Sequence, residues 1–256
     1  MTTVAVLADP PREGTVPRSL VERTPLSSGE IADLWAASLA DVAVAVERSG
    51  GELLVNYRPN DLLPADARGD EPSETIVRAI VTAALDDADV RYEPQVGSTP
   101  SARVGNTITH LLESEGVDTA AVVPGTAAAM PRTEVDAAAM ALRRHDVVLG
   151  PTPTGDVYYA GFAEPIDFEG TFEPPAVERV AKRSVAEGRS VGFVPMVPTL
   201  ETVEGLCATV SSIRARRAAD GWVPSATASY VEELGLRVIA DSSRRRLDRD
   251  GKTDST

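Results

Sequence analysis

The stretch from Val117 to Phe162 constrains the fold more than any other part of the sequence. A short apolar run ends at Val123 and continues into Pro124-Gly125-Thr126, and after a predicted helix a second apolar run ends at Gly150-Pro151. Apolar strands of this length, joined through a helix, indicate a parallel sheet covered on both faces. We therefore predict an α/β fold with a mostly parallel central sheet and helices on both of its faces.

The rest of the chain alternates predicted strands with predicted helices, which places all of it in the α/β class. The sequence Ser27-Ser28-Gly29-Glu30 is a capping box at the start of a long helix, and Thr133 is predicted to cap another. Residues 1–240 are predicted to form a single domain, and residues 241–256 a polar, disordered tail. The other predicted strands are Val4–Ala8, Glu52–Tyr57, Val90–Pro94, Ser190–Val197 and Gly235–Ala240.

Ligands of such sheets bind outside the carboxyl ends of the strands. Those ends include Pro124-Gly125-Thr126 and residues 150–156, so we expect a ligand site there. Carboxylates at this edge are oxygen ligands of the kind that hold magnesium or manganese, and each charge taken singly also fits a solvated loop residue. The basic loop residues are Arg12, Arg18 and Arg103, and the acidic ones are Asp9, Asp156 and Glu201.

The charge balance narrows the choice of partners. The formal net charge is −14, and Lys182 and Lys252 are the only lysines. Such a composition favours a salt-rich cytoplasm, where screening makes an acidic surface tolerable, with an ordinary acidic protein as the alternative. A strongly negative surface argues against nucleic acid and anionic membranes as partners. The amino terminus lacks the positive segment of a secretion signal, so we expect a cytoplasmic protein.

Several classes of site are excluded by the residues present. Cys207 is the only cysteine, and His110 and His145 are the only histidines, which rules out a disulfide framework and a multi-histidine metal site. The sequence has no phosphate-binding Walker loop, no nucleophile elbow and no dinucleotide fingerprint.

Five segments match the motif pattern of one known family. The most specific match runs from Val148-Leu149-Gly150-Pro151 to Tyr158-Tyr159-Ala160-Gly161, and the others include a loop with Gly14 and Leu20. The remaining matches are Gln95-Val96-Gly97 with Arg103, the Gly125-Thr126 turn, and Thr199 to Leu206. On these segments the chain resembles the GT-A-like nucleotide-diphospho-sugar transferases, also called selenodomain-associated transferases.

This resemblance implies a Rossmann-like GT-A fold and transfer of a glycosyl or nucleotidyl group from an activated nucleotide. It implies that the partner is a nucleotide or a nucleotide sugar, with magnesium or manganese held by Asp156 and Glu201. It assigns no catalytic residue. The nucleotide-binding residues it implies are Gly14, Arg18, Arg103, Gly125, Thr126, Gly155 and Tyr158.

The departures from the family pattern fall on its charged residues. Asp9, Pro17 and Ser19 stand where the family has phosphate-binding cations, and Ala127 stands where it has a metal-binding aspartate. The loss of these charged side chains removes electrostatic stabilisation of the phosphates, which transfer from an activated nucleotide needs. The alternative hypothesis is therefore a catalytically inactive nucleotide-binding or scaffold protein on the same fold.

Overall fold

The computed structural model describes residues 1–85, 89–241 and 244–250. The strands are β1 (Thr2–Ala8), β2 (Glu52–Tyr57), β3 (Arg91–Pro94), β4 (Thr119–Pro124), β5 (Val147–Pro151), β6 (Val157–Phe162), β7 (Val191–Phe193), β8 (Leu236–Asp241) and β9 (Arg244–Arg249). The α-helices are α1 (Arg18–Arg23), α2 (Ser28–Glu47), α3 (Ser73–Ala84), α4 (Pro100–Thr109), α5 (Arg132–Ala141), α6 (Ala176–Ala186), α7 (Val203–Ala218) and α8 (Ser225–Glu233). Short 3-10 turns lie at residues 13–15, 60–62 and 65–67, and a π turn follows α4.

Seven strands form one central sheet in the order β3-β2-β1-β4-β6-β5-β7. Strands β1 to β4 run parallel, β5 pairs in parallel with β7, and β6 runs antiparallel to β4 and β5. The register places Val6 opposite Val123 and Leu7 opposite Pro124. The prediction of a mostly parallel sheet is therefore confirmed, with β6 as the reversed strand.

Helices cover both faces of this sheet. Val4 and Val6 of β1 face a buried cluster with α2, α3 and α5, whereas Ala5 faces a cluster with α4 and α6. This division follows from the pleat, because successive side chains of a strand point to opposite faces. The predicted two-sided arrangement is confirmed.

Local predictions need correction at two places. Thr133 lies inside α5, which begins at Arg132 after Pro131 and has no side-chain cap. The strand predicted for Ser190–Val197 ends at Phe193, two residues before Pro195, which has no amide hydrogen to donate to a ladder. The strand predicted over 235–240 is confirmed as β8, which pairs with β9 in a separate two-stranded sheet.

The predicted disordered tail is wrong for residues 244–249. They form β9, which pairs antiparallel with β8. Leu247 of β9 and Leu236 of β8 are buried in one cluster with α7, so a single leucine anchors a strand rich in arginine. Residues 242, 243 and 251–256 of the predicted tail lie outside the described residues. That residues 1–240 form one domain remains a prediction.

An ion pair joins this hairpin to the start of α2. Arg249 donates to a Glu30 carboxylate oxygen at 2.5 Å and to the Pro25 carbonyl at 3.0 Å. The same Glu30 oxygen accepts the Ser27 amide at 2.8 Å, as the predicted capping box requires. The pKa of Glu30 is lowered from its ordinary 4.5 to about 2. The hydrogen bond from the Arg249 guanidinium has the largest effect, and the hydrogen bond from the Ser27 amide has the next largest.

Substitution Glu30→Gln tests this anchor. A glutamine keeps the capping acceptor but loses the charge, so we expect the free energy of unfolding to fall by about 1–2 kcal/mol at pH 7. Because the folded-state pKa is lowered, the stabilisation is present above pH 4.5 and is lost as the pH falls towards 2. Urea unfolding of the wild type and of the Glu30→Gln variant across this pH range measures the stabilisation. Glu22→Gln, at an exposed position of α1, is the matched control; an equal loss in both variants would contradict the assignment.

Candidate functional site

A cleft of about 470 Å³ opens at the carboxyl ends of β1 and β4. Because β6 is antiparallel to its neighbours, its amino-terminal end reaches the same edge and brings Asp156 to the cleft. The first turn of α4, the loop before α6 and the segment before α7 complete the walls. The lining has seven polar or charged side chains apart from the indole of Trp35: Asp9, Thr15, Gln95, Arg103, Thr126, Asp156 and Glu201.

The turn after β4 is packed tightly against α2. The Gly125 amide donates to the Leu7 carbonyl at 2.9 Å, and the buried Ser38 hydroxyl donates to the Gly125 carbonyl at 2.7 Å. A Cβ atom at Gly125 would lie 3.0 Å from Leu39 Cδ1, which is closer than ordinary packing allows. Glycine at this position therefore lets the turn approach both β1 and α2.

Two carboxylates of the lining, those of Asp156 and Glu201, act on each other electrostatically. Glu201 accepts a hydrogen bond of 3.0 Å from the Thr126 hydroxyl. The Glu201 residue is exposed, and desolvation by the surrounding protein atoms raises the pKa of its carboxyl group. The hydrogen bond from Thr126 acts in the opposite direction, and the negative charges of Asp9 and Asp156 raise the pKa further. This part of the cleft therefore favours a cation or a proton.

The lining also carries positive charge. The Arg103 guanidinium lines the cleft, and its pKa is lowered by desolvation and by the neighbouring Arg58, while Asp9 opposes that shift. Asp9 pairs with Arg58 at 3.1 Å, and Arg58 also donates two hydrogen bonds to the Leu62 carbonyl. Asp9 is therefore engaged by Arg58, which leaves Arg103 as a cation able to meet an anionic ligand.

The structure brings five of the nine predicted site residues to this cleft, namely Arg103, Gly125, Thr126, Asp156 and Glu201. Sequence reasoning left Gln95 out of the site. Its side chain is 3 % exposed, lines the cleft, and donates to the Asn56 carbonyl at 2.8 Å. Its position directly after β3, at the end of a strand, is the sequence feature that could have identified it as a site residue.

The other four predicted residues do not line the cleft. Gly14 packs against the backbone of Ala67, and Arg18 is exposed at the start of α1. Gly155 occupies the turn before β6 with a φ of +89°. Tyr158 is buried, and its hydroxyl donates to the Pro195 carbonyl at 2.9 Å. These residues shape the framework around the cleft.

The cleft contains donors that suit a divalent cation bound together with a ligand. Magnesium commonly takes one or two protein carboxylates and completes its shell with substrate phosphates and water. Asp156 and Glu201 offer two such carboxylates. Ala127, which the resemblance places at a third metal position, is fully buried in the core and contributes no ligand.

A second group of potential metal ligands lies away from the cleft. Among the described residues, Glu93, His110 and Glu115 form the one cluster of three whose ligand atoms lie within 4.8 Å of one another. The Arg91 guanidinium pairs with Glu93 at 2.8 Å and with Glu115 at 2.6 Å. Both carboxylates are already engaged by this one guanidinium, so the cluster is a surface ion-pair network.

Comparison with solved structures identifies this architecture. A candidate nucleotide-diphospho-sugar transferase from Desulfovibrio desulfuricans G20 superposes with a TM-score of 0.74 and 18% identity, over 91% of this chain and 94% of that chain. The chain has the fold of a nucleotide-diphospho-sugar transferase. A cytidylyltransferase from Leptospira borgpetersenii superposes with a TM-score of 0.50 and 9% identity, over the same shares of the two chains. The predicted GT-A-like fold is confirmed.

Two comparisons by sequence give no match, one with protein-family models and one with curated proteins. Within residues 1–85, 89–241 and 244–250, no helix combines the length and the apolar character that crossing a bilayer requires.

Substitution Ser38→Ala tests how the turn after β4 is held. It leaves the Gly125 carbonyl without its hydrogen bond, so we expect the free energy of unfolding to fall by about 1–2 kcal/mol. Chemical unfolding measures the change. Ser211→Ala, at an exposed position of α7, is the matched control and should change stability by less than about 0.5 kcal/mol. A Ser38 variant as stable as the wild type would show that the turn does not depend on α2.

Proposed function

We propose that this protein binds a nucleoside diphosphate sugar and a divalent cation in the cleft and transfers the sugar to an acceptor. The observation that carries the proposal is that one cleft holds both kinds of charge, with the Arg103 guanidinium and the carboxylates of Asp156 and Glu201 in its lining. A nucleotide diphosphate with its cation has the complementary pattern, because its phosphate oxygens bind both a guanidinium and a metal ion.

Each cleft residue has a distinct task in this proposal. Asp156 and Glu201 would hold magnesium or manganese, which supplies charge stabilisation to the departing diphosphate when bound. Arg103 would bind a phosphate oxygen, and the Gly125-Thr126 turn would approach the nucleotide. Apolar side chains such as Phe172 give the base and the sugar a surface to pack on.

The number of available cations favours a diphosphate over a nucleoside triphosphate as the donor. Arg12 is engaged by Asn60 and by the carbonyls of Ala67 and Glu71, and Arg58 by Asp9 and Leu62. Since a triphosphate adds negative charge without any further free guanidinium in the lining, glycosyl transfer is favoured over nucleotidyl transfer.

The second candidate is a catalytically inactive nucleotide-binding protein with the same cleft. The observation that favours it is the buried Ala127, which leaves the cation with two protein carboxylates. The two candidates differ in turnover: both bind nucleotide, and only the transferase releases a nucleoside diphosphate from a nucleotide sugar.

A thermal-shift screen tests the proposal with nucleoside diphosphates, nucleotide sugars and triphosphates, each with manganese or with a chelator. We expect diphosphate compounds to raise the Tm only with manganese, because a bound ligand stabilises the folded state. The screen is run over a range of potassium chloride concentrations, since the net charge of −14 predicts a requirement for salt.

Arg103→Ala should weaken the affinity for the best diphosphate about tenfold, equivalent to about 1.4 kcal/mol. Arg18→Ala, which removes an exposed arginine outside the lining, is the matched control and should bind like the wild type. Absence of any nucleotide-dependent shift would contradict both candidate functions. Nucleotide binding without release of diphosphate from any nucleotide sugar would favour the inactive protein.

A further inference from the structure

The segment that carries Glu201 is held by the turn after β4 through two bonds. The Leu200 amide donates to the Thr126 carbonyl at 3.0 Å, and the Thr126 hydroxyl donates to the Glu201 carboxylate at 3.0 Å. Thr126 is 9 % exposed, so both bonds form at the wall of the cleft rather than in free solvent. One residue therefore fixes the backbone before Glu201 and the end of its side chain.

Helix α2 holds the same segment from the other side. The Trp35 indole N–H donates to the Leu200 carbonyl at 3.3 Å, and both side chains are buried in one cluster. The segment also lies directly on the start of α7, where a Cβ atom at Gly205 would come within 2.1 Å of the Thr199 carbonyl oxygen. The backbone around Leu200 is thus bonded at the Leu200 amide and at the Leu200 carbonyl, and the segment packs closely against Gly205 at the start of α7.

These bonds act against an electrostatic force. Asp9 and Asp156 face Glu201 in the cleft, and their negative charges repel its carboxylate. Arg58 pairs with Asp9 at 3.1 Å, and Arg103 acts on Asp9 rather than on Glu201. A glutamate side chain with solvent access would turn away from two neighbouring carboxylates unless other bonds retained it.

We propose that Thr126 is a positioning residue that holds Glu201 in the cleft in the orientation that receives the cation, and that Trp35 supports it from α2. The inference rests on the proposed function, because it assumes that a divalent cation binds at Glu201. It adds a task for the hydroxyl of the Gly125-Thr126 turn and for the buried indole of Trp35. Residues that orient metal ligands typically contribute ten- to a hundredfold to metal affinity.

The test measures manganese affinity by titration calorimetry, in the presence of the nucleoside diphosphate that gives the largest shift in the wild-type screen. Thr126→Val keeps the shape of the side chain and removes the hydroxyl, so we expect manganese binding to weaken about tenfold. Thr126→Ser restores the hydroxyl and should bind within about twofold of the wild type. Trp35→Phe, which loses the indole donor, should weaken binding about threefold, and thermal melting establishes that each variant is folded.

A double-mutant cycle separates positioning from general damage to the site. If Thr126 acts through Glu201, then Thr126→Val should change manganese affinity by less than about twofold once Glu201→Gln is already present. An undiminished effect of Thr126→Val in that background, or wild-type affinity in the single variant, would overturn the inference and leave the proposed function standing. Absence of manganese-dependent nucleotide binding in the wild type would instead reject the proposed function and the inference with it.

Discussion

Parallel pairing of β1 with β4 is the constraint on which the rest of the cleft depends. Both strands are buried, and the pairing continues past the end of β4, where the Gly125 amide bonds to Leu7. Because the two strands run in the same direction, Asp9 and Thr126 follow them at the same edge of the sheet. Positively and negatively charged side chains line one cleft because the loops that carry them leave the sheet at the same edge.

Strand direction and long-range pairing were the features that sequence could not provide. Apolar runs located β4 and β5, but an apolar run has the same composition in either direction, so patterns of this kind do not predict the reversal of β6. The strand β9 was missed because it contains one buried leucine among arginines, and its anchor Glu30 lies 219 residues before Arg249 in the chain. Such pairings are set by tertiary packing rather than by local pattern.

The site was predictable where a residue directly follows or precedes a strand, as Thr126 and Asp156 do. Residues chosen from motif resemblance alone were poorer guides to the site. Gly14 and Tyr158 pack around the cleft without lining it, so these motif positions preserve the fold rather than the binding surface. The charged positions carry the difference between this chain and the family pattern. Ala127 is buried and Asp9 is acidic where the family pattern has a metal-binding aspartate and a cation. In our proposal, the carboxylates of Asp156 and Glu201 and the guanidinium of Arg103 therefore bind the metal and the phosphates.

The most direct test of this account is a crystal structure with manganese and the best-binding nucleoside diphosphate, in which anomalous scattering locates the metal. The account predicts manganese between the carboxylates of Asp156 and Glu201, with a phosphate oxygen as a further ligand and Arg103 bonded to the diphosphate. Manganese at Glu93, His110 and Glu115 instead, or a diphosphate bound in the cleft without contact to either Asp156 or Glu201, would contradict it.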